Sequence, residues 1–406
     1  MPNFQVTPSG APKQEPSIAV NLLSPNIMIA TATDFTSGAP LTGVYRSLDG
    51  GATWTTSTLP LPPGFTGAEA AFVSYGFPTT FVITAHVFPG ASSGTTVIYI
   101  STDNGATFSA PVTVGPGYGS YINNDETNVI IDTSQSSPFL GNIYVTYNHQ
   151  FNVNNIGGST AFFHRSTDGG LTWETPFLLS DEAEQVERPE VAVGFTGIVY
   201  ASWITTDPAY RFVVRRSLDG GATFETSVNV ADVVPVPQVL PVPGYEFRVL
   251  TFPAISTDRS VGPNNGAVYA VWQDNRLGYA DIFLSKSSDE GLSWSEPVSV
   301  TNAIPGSQNF FPAIDVDPLT GEITIIYYSN QLSGYYLDVF VARSNDGANT
   351  FTNTRITTTS FDPNAGSSTP TPLIGDYIDV AAVPPGGFIG VWVDTRTGTQ
   401  TIFAGF

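Results

Sequence analysis

The chain has 406 residues, 41% hydrophobic and 12% charged, enough apolar material for one large closed unit or for two or three ordinary domains. Fourteen basic residues against 35 acidic ones give a formal charge of −21, which opposes nucleic-acid and anionic-lipid partners by simple repulsion. There is no cysteine, which removes disulfides, thiolate nucleophiles and Cys-based zinc sites, and no segment approaches the ~20 apolar residues of a membrane span.

The opening Met1-Pro2-Asn3-Phe4-Gln5-Val6 lacks the basic region and apolar run of a signal peptide. An extracellular or cell-surface location, which the cysteine-free composition fits, would therefore require a removed leader or leaderless export. Phe4 to Thr7 reads as a strand with no neighbour of its own in sequence. The first unit then begins near Pro16 and carries the turn Ser47-Leu48-Asp49-Gly50-Gly51-Ala52-Thr53-Trp54. The same Ser-x-Asp-x-Gly-x-Thr-Trp/Phe pattern returns around Asp103, Asp168, Asp219, Asp289 and Asp346, with successive aspartates 51 to 70 residues apart. A fixed turn at that period marks a repeat architecture.

The fifth unit shows the template. Phe252 to Ser256 is a first strand, Ala267 to Trp272 a second and Ile282 to Ser285 a third; the Asp turn then leads into a fourth beginning at Trp294. Each unit is a four-stranded antiparallel meander with the repeated turn between strands three and four. Applied along the chain, the template places first strands near Pro16, Ala70, Thr127, Pro189, Pro253, Pro312 and Tyr377, one more than the number of turns. The last unit has strands at Ile378 to Ala382, Phe388 to Val393 and Thr401 to Phe406, and lacks a fourth. The expected fold is all-β: residues 1–406 form a single seven-bladed propeller whose last blade is closed by the N-terminal strand, removing exposed sheet edges.

These turns resemble the Asp box, or BNR repeat, of sialidases and related propellers. Five copies fit well, and the sixth has Ala348 where the pattern wants Gly. Each residue type has a task in the turn: the Asp carboxylate accepts backbone N–H bonds, Gly permits positive φ, and the aromatic ring covers the sheet beneath. Asp49, Asp103, Asp168, Asp219, Asp289 and Asp346 are therefore read as structural, and the resemblance implies that they lie on the face away from the active centre. It does not extend to the sialidase active-site pattern. Sialidases use a six-bladed propeller, and their early Arg-Ile-Pro motif has no counterpart near the first strand; Arg188-Pro189, in the fourth blade, is the nearest echo.

On the face opposite the turns lie the loops between second and third strands and the connections between blades. Val230 to Phe252 and Thr357 to Asp376 are especially long. Acidic residues precede the innermost strands at Glu15, Glu69, Asp125, Glu126, Glu187, Glu190 and Asp376. Converging carboxylates raise one another's pKa, which suits general acid/base chemistry, so Glu69, Asp125, Glu126, Glu187, Glu190 and Asp376 are the catalytic candidates. Carboxylates can also collect a hard cation; Asp125 and Glu126 are the Ca²⁺ candidates, although Asn123-Asn124-Asp125-Glu126 reads first as a solvated turn-forming loop, and no other cofactor is implied.

Arg188 and Arg248 offer planar forks for a ligand, and Tyr210, Tyr279, Tyr335 and Tyr336 offer stacking faces. Trp203 and Trp272 read as core. The repeated Trp272-Gln273-Asp274-Asn275-Arg276 and Trp392-Val393-Asp394-Thr395-Arg396 read as Asp–Arg pairs locking a loop. His86, His149 and His164 lack metal-ligand spacing and are assigned surface or packing roles. Two functions remain open: an extracellular, sialidase-like or glycoside-hydrolase-like protein acting on carbohydrate at its loop face, with true sialidase activity disfavoured, and a non-catalytic propeller for glycan binding or protein–protein assembly.

Overall fold

The computed structural model describes residues 2–90, 93–153, 156–181, 184–367 and 372–406. Among these, the strands form seven four-stranded sheets, each an antiparallel blade of a β-propeller. The innermost strands are Lys13–Val20, Gly67–Gly76, Ile122–Ile131, Gln185–Val193, Pro253–Thr257, Asn309–Val316 and Asp379–Val383. The N-terminal strand Asn3–Gln5 pairs with Thr401–Gly405 of the last blade, in the register Asn3↔Gly405 to Gln5↔Phe403. The bonds continue past it, with Val6 N donating to Ile402 O and Ile402 N to Thr7 Oγ1.

The second strands Met28–Asp34, Val268–Asp274 and Ile323–Ser329 are buried at every residue. Neighbouring blades cover both of their faces, which is why their sequences read as continuous runs rather than alternations. The core is accordingly divided among the spaces between blades. Ile29 and Val44 of the first blade pack with Ile83 and Val97 of the second, and Ile18 of the first blade packs with Val391 and Ile402 of the last. Trp203, Trp272 and Trp392 are fully buried in these spaces.

In the repeated turns, Ser47 Oγ donates to Asp49 Oδ1 and accepts from Gly51 N, while Asp49 accepts from Thr53 N and Thr53 Oγ1. The copies at Asp103, Asp168 and Asp219 repeat these bonds; at Asp289, Ser293 takes the place of the Thr. In the sixth turn Ala348 occupies the glycine position at φ 70° and its N still donates to Ser344 Oγ, so the turn persists with some backbone strain. The aromatic residue packs across the blade boundary: Trp54 Nε1 donates to Gly51 O, and its ring lies with Ile389 and Phe406 of the last blade. In the fifth blade the outer strand is Val298–Ser299, four residues later than expected, because Trp294 remains in the turn packed against the fourth and fifth blades.

Five of the seven innermost strands begin earlier than the sequence suggests. In five blades a bulge follows the acidic or polar entry, and one non-glycine residue there takes positive φ: Glu15 (57°), Ala70 (50°), Glu126 (51°), Arg188 (46°) and Phe311 (51°). The bulge absorbs an extra residue, so pairing continues upstream of the Pro or Ala that looks like a strand start. Asn123 to Glu126 is consequently strand, not the turn-forming loop expected of it. Its pairing partners are Gln150, His149 and Asn148.

Innermost strands of adjacent blades do not share a ladder, so their inward N–H groups need other acceptors. Side chains of the preceding blade supply them. Val73 N donates to Ser17 Oγ, Ile131 N to Ser74 Oγ, Val191 N to Asn128 Oδ1, Ile255 N to Glu190, Ala382 N to Asp315 Oδ2 and Ile18 N to Asp379 Oδ2. A second tier joins the bulges, where Ala70 N donates to Glu15, Arg188 N to Glu126 and Phe311 N to Gln273.

Candidate active site

Strand direction decides which face carries the acidic entries. Lys13 at the start of the first innermost strand pairs with Asp34, whereas Val20 at its far end pairs with Met28, which pairs with Ser47 of the repeated turn. The entry and the turn thus lie at opposite ends of the first blade, and the same strand order repeats this in the other blades that carry the turn. Between the two ends runs a central channel of about 220 Å³, lined by the innermost strands.

At the mouth, the bulges swing side chains out of the simple alternation. Glu15 accepts from Thr33 Oγ1 at 3.0 Å, and burial together with the charges of Asp376 and Glu69 pushes it up to about 8. Glu126 accepts from Arg188 N at 2.6 Å and Asn148 Nδ2 at 3.0 Å; burial and the neighbouring Glu187 and Asp125 hold it well above the carboxylate range. Glu187 neighbours Glu126, and its own pKa is raised by burial and by Asp376, with Glu126 and the nearby Arg248 pulling the other way. Both members of this neighbouring pair are thereby shifted toward the protonated form.

Arg248 reaches this cluster from the long connection after the fourth blade. Tyr245, Phe247 and Val249 are buried and alternate with exposed Glu246 and Arg248, so the segment behaves as a half-buried strand laid over the sixth and seventh blades. Arg248 binds Asp376 with both nitrogens, Nε to Oδ1 at 3.0 Å and Nη2 to Oδ2. The second long connection meets the first here, where Asn364 Nδ2 donates to Gly244 O and Asn364 Oδ1 accepts from Glu246 N. Arg248 keeps half of its side chain exposed, whereas Asp376 is 10% exposed beneath it.

The remaining sequence candidates divide by depth. Arg188 is buried below the mouth, its guanidinium 4.1 Å from the Tyr377 ring centroid and 4.7 Å from that of Phe72, with Glu190 at 3.7 Å. Glu190 lies in the channel and bonds Ile255 N; burial raises it to about 7, with Arg188 pulling the other way. Tyr335 donates to Asp362 and stacks edge-on with Tyr245, while Tyr210 and Tyr336 are exposed. Tyr279 is partly buried in the turn between the second and third strands of the fifth blade. Arg276 and Arg396 grip Asp274 and Asp394 at 2.7 and 2.6 Å; those carboxylates also accept from Trp272 and Trp392, so both arginines serve as loop locks.

His86 is the residue that sequence reasoning undervalued. It lies directly across the ladder from Glu69, is 5% exposed at its side chain, and places Nδ1 3.3 Å from Glu69 and 3.4 Å from Asp125. Burial opposes its charge, but Asp125 and Glu69 outweigh burial and bring it up to about 9. A histidine opposite an acidic strand entry was the available signal; the approach of Asp125 from the next blade was not visible along the chain.

No family model matches the sequence, and no curated protein matches it either. The solved structures give a clearer answer. An α-L-arabinanase from Penicillium chrysogenum, solved with arabinobiose, is similar over 100% of this chain and 98% of its own, at 14% identity and a TM-score of 0.53. An α-L-arabinofuranosidase of Fusarium graminearum is similar over 80% and 91%, at 13% identity and 0.55. The Hadza microbial sialidase Hz136 is similar over 93% and 73%, at 14% identity and 0.51. At such identities the likeness establishes the propeller fold. The neighbours themselves are glycoside hydrolases.

Proposed function

We propose that this chain is a glycan-active propeller that cleaves a glycosidic bond at the channel mouth. The observation that carries the reading is the convergence of Glu15, Glu69, Asp125, Glu126, Glu187 and Asp376, from the first four blades and the connection into the seventh, around the half-exposed Arg248. Glycoside hydrolysis needs one protonated carboxyl to donate to the leaving oxygen and one carboxylate on the other side of the bond. Glu187, whose pKa burial raises, is assigned as the acid. Asp376, held by Arg248, is assigned as the anionic partner, and Arg248 contributes hydrogen bonds to sugar hydroxyls. Glu15 and Glu126 bond the backbone of the next blade and act as positioning residues.

Six acidic side chains around one arginine would repel an acidic sugar, so the substrate class is a neutral glycan rather than a sialoside. The arabinose-acting neighbours support this choice. An extracellular site of action belongs to the same proposal, since polymeric glycans are met outside the cell. Hydrolysis should be screened on arabinan and other neutral plant or bacterial polysaccharides, with sialosides in parallel and a glycan-binding array alongside. Turnover on a neutral glycan that falls at least ~100-fold in Glu187→Gln supports the assignment. Binding without turnover would make the protein a carbohydrate-binding module instead, and neither binding nor turnover would overturn the reading.

A further inference from the structure

Beside the mouth, between the second and third blades, a cleft of about 680 Å³ opens over Glu69, His86 and Asp125. One ligating atom from each of these side chains lies within 4.8 Å of the other two. We propose that this trio is a binding site for a divalent transition metal of the zinc type, held by the His86 Nδ1 atom and one oxygen each of Glu69 and Asp125.

The argument begins with the tautomer. Asn123 Oδ1 accepts from Gly94 N at 2.6 Å, and its Nδ2 donates to Gln150 Oε1 at 3.0 Å, so the orientation of the amide is fixed. His86 Nε2 sits 3.0 Å from that same Oδ1 and must be the donor. In the neutral ring, Nδ1 then carries a lone pair, and it points from a side chain only 5% exposed toward two carboxylate oxygens. Nδ1 and the two carboxylates require a positive centre between them, which is either the proton of an imidazolium or an ion that takes its place. A histidine whose outer N–H is fixed by an oxygen acceptor, leaving the other nitrogen for the ion, is the usual support of a metal ligand.

Spacing separates a metal from a proton. Charge-assisted N–H···O bonds close to about 2.7–2.9 Å, whereas the two carboxylates stand at 3.3 and 3.4 Å from Nδ1. Ligands about 2.0–2.2 Å from a tetrahedral ion lie about 3.4 Å from one another, which matches those separations. Nitrogen in the set favours a borderline ion over Ca²⁺ or Mg²⁺, which prefer oxygen. Three protein ligands leave the fourth position facing the cleft, where water or a sugar hydroxyl could enter. The proposal does not rest on the hydrolase reading, since such a site would bind metal whether or not the mouth turns over a glycan.

The test uses chelator-treated full-length protein titrated with Zn²⁺ and with Co²⁺ as a spectroscopic substitute, in excess Ca²⁺. One ion per chain is expected, with the intense visible absorption of tetrahedral Co²⁺. His86→Ala should abolish that absorption. Glu69→Gln, at a side chain 40% exposed and so safe for folding, should weaken affinity at least ~10-fold, and Asn123→Ala should do so ~10-fold by releasing the tautomer. Absence of stoichiometric binding, a weak octahedral spectrum, or binding unchanged in Glu69→Gln would overturn the proposal; the trio would then be an imidazolium held by two carboxylates.

Discussion

Replacing Glu190 with glutamine should stabilise the protein above neutral pH and leave it unchanged in acid. Glu190 is 14% exposed at its side chain, accepts from Ile255 N, and titrates at about 7 because burial outweighs the help of Arg188. Between the ordinary glutamate value of about 4.3 and about 7, the folded chain binds more protons at this site than the unfolded chain, so stability falls as pH rises through that window and is level above it. The slope is roughly 1.4 kcal/mol per pH unit, giving a loss on the order of 3 kcal/mol by pH 8. Glutamine can keep the bond to Ile255 N without ever ionising. At about 2 cal/mol/K of unfolding entropy per residue, a chain of 406 residues gains roughly 3–4 °C in Tm. Calorimetry of both proteins at pH 4.5, 6 and 8 measures the difference between them. That difference is the informative quantity, because Asp103, Asp168, Asp289 and Asp346, held down to about 2 chiefly by bonds from Thr or Ser in their turns, give the whole molecule an opposing trend at acid pH. A variant no more stable than wild type at pH 8, or equally more stable at pH 4.5, would refute the argument.

Removing residues 2–7 should lower Tm by several degrees and produce larger species in size-exclusion chromatography, because Thr401–Gly405 would become an open edge; unchanged melting and elution would reject closure by the N-terminal strand. Ser217→Ala should cost about 1–2 kcal/mol in denaturant unfolding, since it leaves the buried Gly221 N–H without its acceptor, and should not alter glycan binding on the opposite face. Arg248→Ala should raise KM for a neutral glycan about tenfold or more. A fall in kcat at unchanged KM would instead mean that Arg248 acts through Asp376 and not on the sugar.

The blade count was legible because turn chemistry is local. Ser, Asp, Gly and Thr within one octapeptide satisfy one another, so the pattern survives wherever the turn is needed. Trp272 and Trp392 with their Asp–Arg locks were equally local, with partners two to four residues apart. The acidic entries were also visible, but their separate roles were not. Glu190 and Glu187 stand three residues apart, yet a bulge between them sends one into the channel and leaves the other at the mouth. Arg188, offered by the sequence as a sugar anchor, proves to be buried among aromatic rings from blades two, five and seven.

By itself, then, the sequence determined the architecture: all-β, seven blades, six self-contained turns on one face and an N-terminal strand to close the ring. The tertiary structure decided which acids meet. Glu15 finds Ala70, Glu126 finds Glu187, Asp376 finds Arg248 and Asp125 finds His86, each partner lying 39 or more residues away and on another blade or connection. The physical reason is that turns are specified by hydrogen bonds within a few residues. The mouth is specified by the bulges and blade-to-blade bonds that appear only when the ring closes.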